Sequence, residues 1–232
     1  QLTGDRKYGD RAWVDMEAIA NFPDWNPSHG LDVGTMGVAY AIGYDWLFDV
    51  LTEEQKTFIA ETMYKRGVER TYRIYYNQVP ATEAYTTWWD AKNNWNAVCN
   101  GGTMMGAMAL YERYPEVCAD LIRNASRALE FMMPTYYPYG TWEEGAGYWR
   151  YALQYVVYTI TSFENTFGDD FGYLNTPGLD NTGWFGTALA GSTGMNNFGD
   201  TSGGFVNNPQ VMWCAVQFND PDLAAARLLE IE

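Results

Sequence analysis

Residues 139–151 are the stretch whose side-chain types could do chemistry, because they combine aromatic rings, two carboxylates, glycines and an arginine. The run 148–167 contains no helix-breaking residue and follows a glycine-rich segment, which predicts a helix beginning near Tyr148. A phenol in a first helical turn lies near unpaired backbone N–H groups and the positive end of the helix dipole, which favour its phenolate, and Arg150 adds to that field. Tyr148 is therefore a candidate for proton transfer. The alternative is that Tyr148 and Trp149 simply begin a core helix.

Two other pairs of polar residues stand where helices are expected to begin. Asn93 and Asn94 precede an apolar run from residue 95, and each is either a helix cap or a ligand contact, since Asn is favoured at N-caps. Glu143 and Glu144 could form a general acid–base pair, but adjacent residues seldom face each other. First-turn carboxylates stabilised by the helix dipole are the simpler explanation for that pair.

His29 is the only histidine in the chain and follows a Pro-Ser turn ahead of an apolar run. It either borders the same opening as the other loop residues or makes structural hydrogen bonds. A single histidine excludes a multi-histidine zinc site, and the three cysteines, which lack CxxC spacing, are predicted to be buried free thiols. Any metal would therefore have to be held by oxygen ligands.

Composition favours a globular carbohydrate-binding protein. The 232 residues are 47% hydrophobic and 17% aromatic, with 10 Trp and 18 Tyr, and such flat amphipathic rings suit sugar stacking. The net charge of −15 argues against nucleic acid and against an anionic membrane surface as partners. Because no apolar run reaches about 18 residues, we also expect no membrane insertion.

Helical periodicity dominates the chain, and apolar helices alternate with amphipathic ones. This alternation predicts helical hairpins and hence an all-α fold, an incomplete (α/α) toroid in a single domain over residues 1–232. Gly34, Gly37 and Gly43 keep one helix face small enough for close packing, while Thr52 and Gln55 form a capping box. The helices are predicted at 10–22, 31–51, 52–76, 95–114, 116–133, 148–167, 184–190, 209–218 and 222–229.

Two motifs together resemble the heparinase II/III-like polysaccharide lyases and their alginate lyase relatives. They are the Asn-Asn-Trp-Asn-Ala-Val-Cys-Asn-Gly-Gly segment at 93–102 and the Trp-Glu-Glu-Gly-Ala-Gly-Tyr-Trp segment at 142–149. The similarity extends to residues 28–32, 41–47, 51–55 and 197–200. These stretches are distributed over most of the sequence, from residue 28 to residue 200.

The resemblance implies cleavage of a uronate-containing polysaccharide by β-elimination. Asn94 would neutralise the uronate carboxylate and Tyr148, 54 residues later, would act as general acid or base. No metal or cofactor is implied, the partner is an acidic polysaccharide or oligosaccharide, and the location is secreted or periplasmic. The substrate-binding residues implied or suggested by position are His29, Trp88, Trp89, Asn93, Trp95, Trp142, Glu144, Arg150, Asn197 and Asp200.

The chain departs from the family in two ways. Such lyases usually add a second histidine and other site residues from a β-sandwich domain that follows the toroid, and this chain has only His29. We therefore expect it to be part of a longer chain, and an isolated toroid could lack activity. Two alternatives remain open. One is an (α/α) toroid glycoside hydrolase using two carboxylates among Asp90, Glu143, Glu144 and Asp200. The other is a non-catalytic glycan-binding helical module.

Overall fold

The computed structural model describes residues 3–191, 194–196, 198–201 and 208–231. Within these residues the chain is mostly helical, and strands are confined to one short antiparallel hairpin, β1 (Ala190–Gly191) and β2 (Gly194–Met195). The predicted all-α class is therefore confirmed. None of the described helices combines the length and the apolar character needed to cross a membrane.

The chain divides into two compact units, one of residues 1–90 and 98–129 and the other of residues 91–97 and 130–232. A single toroid domain stays a prediction. In chain order the α-helices are α1 Arg6–Ala20, α2 Gly30–Trp46, α3 Glu53–Met63, α4 Glu69–Tyr75, α5 Asn94–Ala109, α6 Pro115–Leu129, α7 Ala146–Phe167, α8 Thr182–Leu189, α9 Gln210–Gln217 and α10 Pro221–Ile231. Short 3₁₀ turns occupy Met133–Tyr136, Tyr173–Asn175 and Leu179–Asn181.

Side-chain caps set where the first unit's helices begin. Asp5 accepts a hydrogen bond from the backbone N–H of Lys7, so α1 begins before the predicted residue 10. At α3 the predicted capping box is confirmed, because Thr52 accepts from the Gln55 backbone and the Gln55 side chain accepts from the Thr52 backbone. Caps of this kind are worth about 1 kcal/mol each.

Helices α2 and α5 approach each other more closely than side chains would allow. A Cβ added at Gly34 would collide with the backbone of Val98, and one at Gly37 would lie 2.6 Å from the Gly102 carbonyl oxygen. A Cβ at Gly43 would lie 2.7 Å from Met16 Sδ. The predicted close packing is therefore confirmed at Gly34 and Gly37, which lie against the helix that carries the Asn93–Asn94 motif. The predicted single face is wrong for Gly43, which packs against Met16 of α1.

The third predicted helix, 52–76, is interrupted by a π-helical turn at Tyr64–Val68. The extra residue in this turn alters the side-chain directions that a regular 3.6-residue period would give. Tyr64 stacks on Tyr114 with ring centroids 3.8 Å apart, and Gly67 accommodates the Trp25 ring. Sequence periodicity alone did not predict this interruption.

In the second unit, α7 is the central core helix. Its buried residues follow a helical stripe that includes Trp149, Leu153, Val156, Ile160 and Phe163. Helices α8, α9 and α10 pack on one another, and α8 and α9 also contact α7. Gly168 ends α7 in the left-handed conformation, with φ 71°, as expected of a C-terminal glycine.

The contact between α2 and α5 predicts opposite effects for two substitutions one turn apart on α5. Gly102→Ala places a methyl group against the Gly34 carbonyl, so we expect overpacking to lower the free energy of unfolding by about 1–3 kcal/mol. Gly106→Ala is the matched control, because its Cβ would meet Met63 at an ordinary 3.5 Å. Helix propensity should make that variant neutral or more stable by up to about 1 kcal/mol. Urea denaturation measures both, and a Gly102→Ala protein as stable as Gly106→Ala would contradict the packing argument.

Candidate functional site

The start of α7 and the turn at residues 198–201 are built against each other by glycine. Gly145 is the N-cap of α7 with φ 90°, and a Cβ there would collide with the Phe198 carbonyl. Gly199, with φ 64°, would meet the Glu144 backbone at 2.8 Å if it carried a Cβ. Both positions therefore require glycine, for the positive φ and for the close approach. Two segments that the sequence analysis singled out are thus in direct contact.

An open pocket of about 420 Å³ lies over this junction. Its volume falls within the range of roughly 300–1,000 Å³ that small-molecule sites occupy. Three of the candidate residues, Tyr148, Arg150 and Asp200, share it. The residues that line this surface, termed here the Tyr148 pocket, are Gly147, Tyr148, Arg150, Tyr151, Asp200 and Thr201.

Helix geometry arranges the Tyr148 pocket around Gly147. Successive residues are about 100° apart around an α-helix axis, so Gly147 and Tyr151 point in nearly the same direction. Tyr148 and Arg150 then lie on opposite sides of that direction. A Cβ at Gly147 would collide with the Thr201 hydroxyl, so the absence of a side chain lets Thr201 pack directly against the helix.

Trp149 fixes the rotation of α7 that presents these residues. Its ring is fully buried, and its Nε1–H donates to Thr182 Oγ1 at 2.8 Å. Thr182 in turn donates its hydroxyl proton to the Gly140 carbonyl at 2.8 Å. Gly186 lets the Trp149 ring lie directly on the α8 backbone. With Trp149 held inward, its two neighbours must project away from the core.

Glu144 has a pKa that departs from its ordinary value. Burial raises the pKa of the Glu144 carboxyl, and the negative charges of Asp200 and Glu143 add to the effect. The Trp142 indole opposes it by donating to Glu144 Oε2 at 3.1 Å. Glu144 therefore takes up a proton more readily than a solvated glutamate.

Trp142 itself is only 4% exposed, and its ring lies 5.6 Å from that of Tyr136. Its faces are therefore covered by the unit's own core. The indole acts here as a hydrogen-bond donor that holds Glu144. Use of Trp142 as a sugar-stacking surface stays a prediction.

Asn93 and Asn94 play different parts at the start of α5. Asn93 Oδ1 accepts from the backbone N–H of Trp95 at 3.1 Å, so Asn93 is the helix cap. Asn94 is 1% exposed, and its Nδ2 has no hydrogen-bond partner among the described residues. A buried donor left unpaired costs about 1–3 kcal/mol, so this amide is a candidate for ligand contact. Asn94 is not among the described residues that line the Tyr148 pocket.

Three candidates belong to the first unit. The His29 side chain is exposed, and its Nδ1 lies 3.2 Å from Asp32 Oδ2. Trp88 is only 2% exposed and packs against Gly30 and Cys99. Trp89 is partly buried, with its ring 6.3 Å from that of Tyr75. His29 is thus the most solvent-accessible of these three.

One predicted site residue, Asn197, lies outside the described residues. Within the described part of the chain, no group of three or more His, Cys, Asp or Glu side chains could hold a metal ion. Cys99, Cys118 and Cys214 are free and buried, as predicted, and burial raises the pKa of each thiol.

The sequence analysis did not single out Tyr151 and Thr201 as pocket residues. Tyr151 could have been found, because it lies three positions after Tyr148 and so shares its helix face. Thr201 follows Asp200 in a loop without periodicity. Its position depends on the tertiary contact with Gly147, for which the sequence carries no local signal.

The raised pKa of Glu144 predicts a pH-dependent stability difference. An acid whose pKa is higher in the folded state binds more protons when folded, so stability falls as pH rises from the ordinary value of 4.5 through the raised value. Glu144→Gln keeps an acceptor for the Trp142 indole and removes this titration. The variant should therefore gain stability relative to the native protein across that window and keep a constant difference above it.

Urea denaturation at a series of pH values measures this difference, and Glu143→Gln, which removes the same charge from an exposed neighbour, is the control. A stability difference for Glu144→Gln that does not change with pH, or that changes in the opposite direction, would show that Glu144 is not perturbed in the folded protein.

No family model matches the chain, and no curated protein matches its sequence. Inference of function therefore rests on the residues of the second unit and on the resemblance of two motifs to polysaccharide lyases.

Proposed function

We propose that the protein is a polysaccharide lyase that cleaves an acidic, uronate-containing polysaccharide by β-elimination. The observation that carries the proposal is the Tyr148 pocket, in which Tyr148, Arg150 and the hydroxyl of Thr201 line one open surface. A phenol can transfer protons, and a guanidinium suits an anionic sugar. Of the two motifs that resemble the lyase family, the one at 142–149 contributes Gly147 and Tyr148 to this pocket, and the one at 93–102 contributes the buried amide of Asn94.

The proposed reaction removes the proton beside the uronate carboxylate and expels the glycosidic oxygen at the neighbouring carbon. The C–H and C–O bonds break and a carbon–carbon double bond forms, so no oxidant or reductant is needed. Negative charge accumulates on the carboxylate oxygens during this step. A neutral donor preorganised at those oxygens contributes about 3–4 kcal/mol by analogy with oxyanion holes, and the unpaired Asn94 Nδ2 is assigned this role.

Tyr148 is assigned the proton transfer. As a phenol it protonates the departing glycosidic oxygen, and as a phenolate it could also remove the uronate proton in a syn elimination. The oxygen of the leaving group then receives the proton that the chemistry requires. The residues assigned to substrate binding are His29, Trp88, Trp89, Asn93, Trp95, Trp142, Glu144, Asn197 and Asp200.

The same resemblance leads us to propose an incomplete (α/α) toroid for the helices, within a longer secreted or periplasmic protein that includes a β-sandwich domain. The alternation of apolar and amphipathic helices supports the toroid. The buried helix α7 and the amphipathic helices α3 and α6 follow that alternation. Where Tyr148 acts only as the acid, a histidine from the additional domain would supply the base.

A glycoside hydrolase is the second candidate, and the raised pKa of Glu144 favours it. Hydrolases pair a carboxylic acid of raised pKa with an ionised carboxylate, and the Asp200 charge acts on Glu144. The products separate the two reactions. Elimination leaves an unsaturated uronate that absorbs in the ultraviolet, whereas hydrolysis creates a reducing end without that absorbance. Glycan binding with neither product would indicate the non-catalytic module.

Tyr148→Phe in the full-length enzyme tests the lyase assignment. Loss of the hydroxyl should lower the rate of unsaturated-product formation by about 10²- to 10⁴-fold, because general acid–base groups typically contribute that much. Stability should change by only about 1 kcal/mol, since the ring is kept. Tyr137→Phe removes a hydroxyl from an exposed tyrosine of the same unit and should leave the rate unchanged. Near-normal turnover by Tyr148→Phe would exclude the mechanism.

Asn94→Ala tests the amide. We expect turnover to fall by about 10²- to 10³-fold, the usual effect of removing one oxyanion donor. Because Nδ2 has no hydrogen bond to lose among the described residues, thermal stability should change far less than activity. Asn208→Ala is the matched control, since Asn208 is also buried and its Oδ1 also lacks a partner. Equal losses of activity in both variants would assign Asn94 a structural role.

A further inference from the structure

Arg150 is a cation without a hydrogen-bond or ion-pair partner among the described residues, and it belongs to a strongly acidic unit. The residues of the second unit include twelve Asp or Glu and only three Lys or Arg, namely Lys92, Arg150 and Arg227. Arg227 is 7% exposed and has an interaction partner, whereas Lys92 is exposed. Across the described part of the chain, Arg150 makes no hydrogen bond or ion pair. It lines the Tyr148 pocket with its guanidinium available to a ligand.

The same pocket contains an acid that could have paired with Arg150 and does not. Asp200 also lines the Tyr148 pocket, yet among the described residues the two groups form no ion pair within 4.0 Å. A planar guanidinium offers two parallel N–H donors to a carboxylate or a sulfate, which is a stronger and more directional contact than a lysine makes. An anionic group entering the pocket could therefore bind Arg150 without first displacing an internal partner.

The position of Arg150 relative to Tyr148 limits which sugar it can reach. About 160° around the α7 axis separates the two residues on the pocket face, where Gly147 and Tyr151 lie between them. Because Tyr148 transfers the proton, the bond that reacts would lie on the Tyr148 side of Gly147. Arg150 lies on the other side of Gly147, where the next sugar of a bound chain would lie.

We propose, on the basis of the proposed lyase function, that Arg150 binds an acidic group on the sugar adjacent to the one that undergoes elimination. The group is a carboxylate or a sulfate, since both present oxygens to a guanidinium in the same geometry. The enzyme then selects stretches of polysaccharide in which two consecutive sugars are acidic. A uronate flanked by neutral sugars can contact Tyr148 and Asn94, but Arg150 then has no acidic group to bind.

Binding of three oligosaccharides to the full-length protein tests this selection by calorimetry. In the first every sugar is a uronate, in the second uronates alternate with neutral sugars, and in the third the alternating sugars carry sulfate. Arg150→Gln removes the charge, whereas Arg150→Lys keeps the charge but not the two parallel N–H donors. Both substitutions are made in the Tyr148→Phe background, which prevents turnover. Arg127→Gln is the matched control, because Arg127 is exposed in the first unit and likewise makes no hydrogen bond or ion pair with the described residues.

We expect Arg150→Gln to weaken binding of the all-uronate chain at least tenfold and to leave the unsulfated alternating chain unchanged, with Arg150→Lys intermediate. An equal loss for the sulfated alternating chain shows that sulfate serves as well as carboxylate, and no loss there restricts the site to carboxylate. A similar loss for all three chains would overturn the proposal, because Arg150 would then bind the reacting sugar itself. Arg150→Gln and Arg127→Gln proteins that bind alike would also overturn it. If the Arg150-dependent selection is found while the native enzyme forms no unsaturated product, the lyase assignment fails and the anion site stands.

Discussion

Burial of Trp149 is the constraint on which the second unit's pocket depends. Its indole donates to Thr182, which donates to the Gly140 carbonyl, so one side chain ties α7 to α8 and to the loop before the site. A helix can rotate about its own axis, and the burial of Trp149 fixes that rotation for α7. Tyr148 and Arg150 then project towards solvent on two sides of Gly147. Geometry at the pocket is thus set by a residue that does not line it.

Glycine supplies the second constraint. Gly145 and Gly147 on one segment, and Gly199 on the other, allow two backbones to touch where any Cβ would separate them. The contact brings Asp200 and Thr201 to the N-terminal turn of α7 without help from regular secondary structure. It also partly buries Glu144 and places it within reach of the Asp200 charge, which is why that carboxyl holds its proton more readily. The contact between these two segments therefore accounts for both the close backbone packing and the raised pKa of Glu144.

Much of the fold could be predicted from the sequence, because helix signals are local. Apolar periodicity, the Thr52–Gln55 capping box and the small face of α2 gave the helices and one of their close contacts. The π-helical turn at Tyr64–Val68 has no local signature, since it depends on how Tyr64 and Trp25 pack. At the site, Tyr148 and Asp200 were both candidates from the sequence, and they line one pocket. The burial of Trp88 and Trp142 was not predicted, because composition cannot distinguish a stacking ring from a core ring.

An acidic protein can still bind an acidic polymer, because net charge and local charge act over different distances. At physiological salt the screening length is about 8 Å, so carboxylates on remote surfaces contribute little at the pocket. What a ligand meets there is Arg150, the hydroxyls of Tyr148 and Thr201, and the carboxylate of Asp200. Glu144, which takes up a proton more readily than usual, adds less negative charge than a solvated glutamate would as pH falls. Arg150 therefore supplies a positive charge in the pocket to an anionic ligand, although the whole chain carries a net charge of −15.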